Sequence, residues 1–161
     1  MEEEEKNRQA SHIRVHMNIA YLHIVFTIFI LLITLAPNFL KENELLSMQI
    51  VLAIPLLFSS IFARSRSVYV GKDTALWKNY GFLCFLVAYT LLVNSVGILL
   101  ALFAKPMIVY IFFFANIILA ETYSLMEIIE RKEKIAERIW KDGLFIILLI
   151  FLGLLPALKI Y

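Results

Sequence analysis

Residues able to do chemistry sit inside long apolar runs of this sequence: Glu121, His23, Asn94 and Asn116, with Thr27 and Thr90 among them. A side chain of that kind is costly to bury in its charged or unbonded form. Within a membrane segment it marks a candidate functional position, and it needs a partner. Glu121 could titrate or coordinate a cation, and His23 could accept and release a proton. The two asparagine amides could contact a polar solute, or they could hold helices together.

Spacing sharpens these readings. Lys105-Pro106 separates two apolar runs, with Asn94 eleven residues before Lys105 and Asn116 eleven after it. If both runs cross a bilayer, each asparagine lies ~16 Å from the turn, near the middle of a ~30 Å core. Thr90, Asn94, Gly97 and Ala101 share one helix face, a small-and-polar packing face. Asn116, Ala120, Tyr123 and Glu127 share another. The spacing predicts an Asn94–Asn116 hydrogen bond across the hairpin, with a substrate or ion contact as the alternative. Glu121 lies about 140° round the helix from Asn116 and faces a different neighbour. It lies ~9 Å from one membrane surface and His23 ~7.5 Å from the same surface, so the two would pair if their helices were adjacent.

The first apolar run carries a stripe. His12, His16, His23, Thr27 and Thr34 fall within an arc of about 60°, with Tyr21 on the opposite side. The stripe reads in three ways. It could be a proton or ion route, or a metal site at His12 and His16. It could also be a face turned into the bundle, its threonines bonded to their own helix. Two histidines without a Cys or carboxylate motif make a weak metal pattern, and no metal or cofactor is expected.

The elements that position these residues follow from composition. The chain is 61% hydrophobic and 17% charged, with mean hydropathy +0.83. Soluble domains run at roughly 45–50% apolar. The excess is gathered in runs separated by charged connectors, which predicts an all-α, polytopic integral membrane bundle. Five transmembrane helices are expected at about 18–36, 45–63, 81–104, 106–129 and 143–158. A polar cytoplasmic segment, 1–17, precedes a single transmembrane domain, 18–161, and a charged cytoplasmic helix is expected at about 130–142. Gly71-Lys72-Asp73 reads as a turn, Trp77 and Tyr80 as an interfacial belt, and Pro55 as a kink. The acidic start, Glu2–Glu5, and the length of the first run predict a retained helix rather than a cleaved signal.

Orientation follows from the basic residues. With the N-terminus inside and the C-terminus outside, the inner segments hold twelve of the fifteen Lys and Arg; only Lys41, Lys105 and Lys159 fall outside. The location expected is the cell membrane. A net charge of +2 suggests no nucleic-acid partner, and the single cysteine, Cys84, can form no intrachain disulfide. No nucleotide-binding glycine loop, zinc-protease pattern or nucleophile elbow is present, so a lipid-active enzyme has the least support. A small transport or channel-type protein for a proton, cation or polar solute is the first reading. A non-catalytic accessory or scaffold subunit is the alternative. The expected partners are the lipid bilayer and either further copies of the chain or another membrane subunit.

The orientation predicts a labelling pattern. In a Cys84→Ala background, cysteine placed at Asn38 or Lys105 reacts with an impermeant reagent from outside. Cysteine placed at Lys72 or Glu133 is protected in sealed cells. Labelling of Lys72→Cys from outside would overturn the arrangement.

Overall fold

The structure is a computed structural model that describes residues 2–35, 37–69, 75–130 and 135–159. The Gly71-Lys72-Asp73 turn and the charged residues Arg131, Lys132, Glu133 and Lys134 lie outside the described residues. The described residues are helical almost throughout and include no strand. Five stretches are long and apolar enough to cross a bilayer: His12–Thr34, Glu44–Arg66, Ala75–Phe103, Pro106–Met126 and Arg138–Leu158. The chain is therefore an all-α, multi-pass membrane protein.

Helix α1, Glu2–Leu35, starts well before the expected apolar span. Nothing between Glu2 and Leu35 is Gly or Pro, and acidic residues suit the first turn of a helix. Pro37 opens a short corner helix, α2, Pro37–Glu42. Helix α3, Glu44–Tyr69, continues through Pro55, which is exposed on its surface. Helix α4, Ala75–Phe103, and helix α5, Pro106–Glu130, meet at the expected Lys105-Pro106 turn. There the Ile108 N–H donates to the Lys105 carbonyl at 2.9 Å. Helix α6, Ile135–Leu149, runs without a break from the charged connector into the last apolar span. The described parts of the 130–142 stretch thus extend the helices on either side of it.

The last span is not a regular α-helix. Ile150–Leu154 forms a π-helical turn, followed by α7, Leu155–Leu158. Pro156 is the cause. It has no N–H to donate, and its ring crowds the carbonyl four residues back, that of Leu152. Widening the preceding turn relieves that crowding, and the Leu155 N–H reaches back five residues to the Ile150 carbonyl.

The chain forms two compact units, residues 1–92 and 93–161, divided within α4. In the first, α1 packs along α3, with α2 at the corner. Val25, Leu46, Ile50, Ala53 and Leu57 fill its core. Tyr21 sets its ring edge-on against Phe85 and Tyr89 of α4. In the second, Phe113 and Val109 of α5 are buried with Leu149 and Ala157. Large apolar side chains also lie outside: Leu119 is 69% exposed and Ile118 62%. In water such a surface would drive association; in lipid it is the expected exterior.

Two glycines permit close approach in the second unit. A Cβ at Gly97 would overlap the Phe113 ring. A Cβ at Gly153 would overlap Asn94 Oδ1 and lie 2.7 Å from Phe113 Cε1. The rigid ring and the buried amide cannot give way easily. Gly153→Ala should therefore destabilise the protein by about 1–3 kcal/mol, read as a lower thermal midpoint in detergent. Gly143→Ala is the control, because nothing lies within 4 Å of that Cβ. It should leave the midpoint unchanged or slightly raised.

Candidate functional site

In the first unit, a polar centre joins α1, α3 and α4. Asn18 is 2% exposed, and its Nδ2 donates to Ser60 Oγ at 2.7 Å. The Ser60 hydroxyl donates to the Gly81 carbonyl at 2.6 Å. Arg64 Nε approaches the same hydroxyl at 3.4 Å, one turn on. A serine oxygen has one hydrogen and two lone pairs, so this one is saturated. The Arg64 guanidinium also lies 5.9 Å from the centroid of the Phe85 ring. The centre is a buried hub that ties three helices together.

The second unit holds two further polar contacts. Asn94 is fully buried, and its Nδ2 donates to the Leu148 carbonyl at 3.1 Å, just before the π turn. Its Oδ1 has no hydrogen-bond partner among the described residues and faces Gly153. Near the C-terminal end of α5, Ser124 donates to Asp142 Oδ2. Arg138 Nε approaches Ser124 Oγ at 3.4 Å, and the guanidinium stacks 5.2 Å over the Tyr123 ring. A serine against a carboxylate resembles part of a nucleophilic pair. Such chemistry needs an exposed hydroxyl and a base. Ser124 is 2% exposed, and its described partners are Asp142 and Arg138.

The predicted Asn94–Asn116 bond does not form. Asn116 Nδ2 turns back to the Phe112 carbonyl of its own helix at 2.8 Å, and Asn94 bonds α6 instead. The amide four residues past a carbonyl satisfies itself locally, without the entropy loss of a bond between helices. The Thr90–Asn94–Gly97–Ala101 face is buried along its length, and Thr90 Oγ1 donates to the Leu86 carbonyl at 2.7 Å.

The α1 stripe does not turn into the bundle. His12, His16, His23, Thr27 and Thr34 are all exposed, while Asn18 and Val25 supply the buried side. Thr27 donates to the His23 carbonyl at 2.8 Å and Thr34 to the Ile30 carbonyl at 2.7 Å. His23 Nδ1 lies 2.9 Å from the Ile19 carbonyl. With the proton on Nδ1, that nitrogen donates and leaves Nε2 pointing outward as an acceptor. Glu121 is half-buried on α5 and has no hydrogen bond or ion pair among the described residues of its unit. His23 belongs to the first unit and Glu121 to the second.

The hub residues Asn18, Ser60 and Arg64 are absent from the sequence-derived set, as are Ser124, Arg138 and Asp142. Asn18 and Arg64 stand at span ends, where water is the expected partner, and Ser60 is a common small residue. One signal was available. Asn18 lies about 160° round α1 from His16, off the polar stripe and on the side of Tyr21. Among the described residues, no group of three or more His, Cys, Asp or Glu gathers to hold a metal. No protein-family model, no curated protein and no solved structure matches this chain.

Double-mutant cycles separate the two kinds of polar contact. Asn18→Ala and Ser60→Ala should be coupled by about 0.6–2 kcal/mol, because both remove one bond. Asn94→Ala and Asn116→Leu should add within ~0.5 kcal/mol, because they share none. Unfolding in mixed micelles reads both.

Proposed function

We propose that this chain is a non-catalytic subunit of the cell membrane that works by lateral association with further copies of itself or another membrane protein. The observation that carries the reading is the outward stripe on α1. Polar and ionisable side chains within membrane segments almost always face protein. Here His23, Thr27 and Thr34 are exposed on the side of α1 away from its packing with α3. The threonines satisfy their hydroxyls locally, which makes exposure tolerable. The imidazole of His23 keeps one nitrogen unspent, and a neighbouring helix could bond it. Thr27, Thr90 and Asn116 bond their own helices and the Asn94 amide bonds the Leu148 carbonyl, which gives conduction less support.

Cross-linking tests the proposal. In a Cys84→Ala background, Thr27→Cys should form a defined oxidative cross-link in native membranes. The product should be of twice the mass for self-association, or of another fixed mass for a partner. Leu119→Cys, on an apolar exposed face of α5, should not. A Thr27→Cys protein that stays entirely uncross-linked overturns the reading, and His23→Leu should weaken the cross-link in a folded protein.

One residue favours a second reading, proton or cation movement by an oligomer. Glu121 is half-buried in a span without a bonded partner among the described residues of its unit. Reconstituted protein would then show pH-dependent flux that Glu121→Gln abolishes. Absence of flux from a cross-linked, folded assembly removes this reading and leaves the first intact.

A further inference from the structure

The first two turns of α4 line an open groove of about 650 Å³. Leu76, Tyr80 and Leu83, at positions i, i+4 and i+7, form an apolar strip along it, and Trp77 and Asn79 flank the strip. Leu76 is 73% exposed, so the strip meets the surroundings rather than another helix of the unit. Ala75–Phe103 is long and apolar enough to cross a bilayer, and its 29 residues exceed the ~20 that a ~30 Å core needs, so its first turns reach beyond the core. The groove lies at one end of that segment, at the headgroup level, where Trp and Tyr are at home.

A cation borders it. The Arg66 guanidinium stacks 4.6 Å over the Trp77 ring, and Trp77 itself sets edge-on to Tyr80. Arg66 is exposed. Among the carboxylate side chains described in this unit, Glu42 and Glu44 stand at the opposite end of α3, ~33 Å away along the helix. A stacked arginine keeps its fork of N–H donors in the plane of the guanidinium, where they can meet two phosphate oxygens. The groove therefore combines a strip for a hydrocarbon chain with a positioned cation at the polar level and an amide, Asn79, beside them.

We propose that this groove binds an anionic phospholipid, with an acyl chain along Leu76, Tyr80 and Leu83 and the headgroup phosphate at Arg66. A zwitterionic lipid would fill the same strip, but its ammonium would be repelled by the guanidinium. Charge is what selects the occupant.

Tryptophan quenching tests it, since the chain has only Trp77 and Trp140. In the full-length Trp140→Phe protein, Trp77 is the sole reporter. Brominated phosphatidylglycerol added to phosphatidylcholine vesicles should quench it at a mole fraction roughly fivefold lower than brominated phosphatidylcholine does, the effect of one basic residue at an anionic surface. Arg66→Gln should bring the two lipids to parity, and Arg66→Lys should retain part of the preference. In the Trp77→Phe protein, Trp140 should give the same lipid ratio with and without Arg66→Gln. Equal quenching by the two lipids in the parent protein overturns the proposal. So does a preference that survives Arg66→Gln, or one that changes at Trp140 as much as at Trp77. Arg66 is exposed, and its variants are checked for unchanged helicity and a single elution peak.

Discussion

Hydrocarbon offers no hydrogen bonds, and this one constraint arranges most of the protein. It makes every span a helix, because only a helix satisfies its own backbone within the segment. It then acts on the side chains. Thr27, Thr34, Thr90, Thr122 and Asn116 all adopt one solution, a bond to the carbonyl four residues back. That solution joins nothing to anything else. The bonds between helices come from polar groups that bond elsewhere: Asn18 through Ser60 to Gly81, Asn94 to Leu148, and Ser124 to Asp142.

The interior is built to match. Lipid removes the usual reason to hide apolar bulk, so association rests on close packing and on the few internal bonds. Ala53, Ala63, Ala88 and Ala101 are buried, whereas Phe103, Met107 and Ile129 are exposed. Around the buried Phe113 ring, Gly97 and Gly153 make the space. The polar residues Gln49, Ser60 and Ser95 are buried as well.

Sequence length and periodicity were sufficient for the helices. The Lys105-Pro106 turn, the start of α5 at its proline and the buried Thr90–Asn94–Gly97–Ala101 face could all be read in advance. The side-chain pairing could not. Equal distance of Asn94 and Asn116 from a turn puts them at one depth but does not point them at each other. Asn116 took its own carbonyl and Asn94 took a third helix. The α1 stripe was legible as a stripe, but a helical arc has no sign: the same arc can face a bundle or leave it. The choice was made by Asn18 and Tyr21 on the other side, which found partners in Ser60, Phe85 and Tyr89. The π turn escaped because the apolar run continues unbroken on both sides of Pro156, so nothing in the pattern marks a widened turn. Pro156 instead acts within a continuing helix.

That wide turn also sets how the last helix tolerates change in length. Losing one residue from an α-helix turns everything beyond it by about 100° and takes a packed face off its neighbour. The π turn at Ile150–Leu154 already carries a residue in excess of α-helical winding. A deletion there, in a chain whose Pro156 is also replaced so that the closed turn is not crowded, would consume the surplus and leave Leu149 before it and Ala157 after it facing their present neighbours. In this span, then, the reading frame of the helix has one built-in place of slack, next to the residue, Asn94, that fastens the helix just ahead of it.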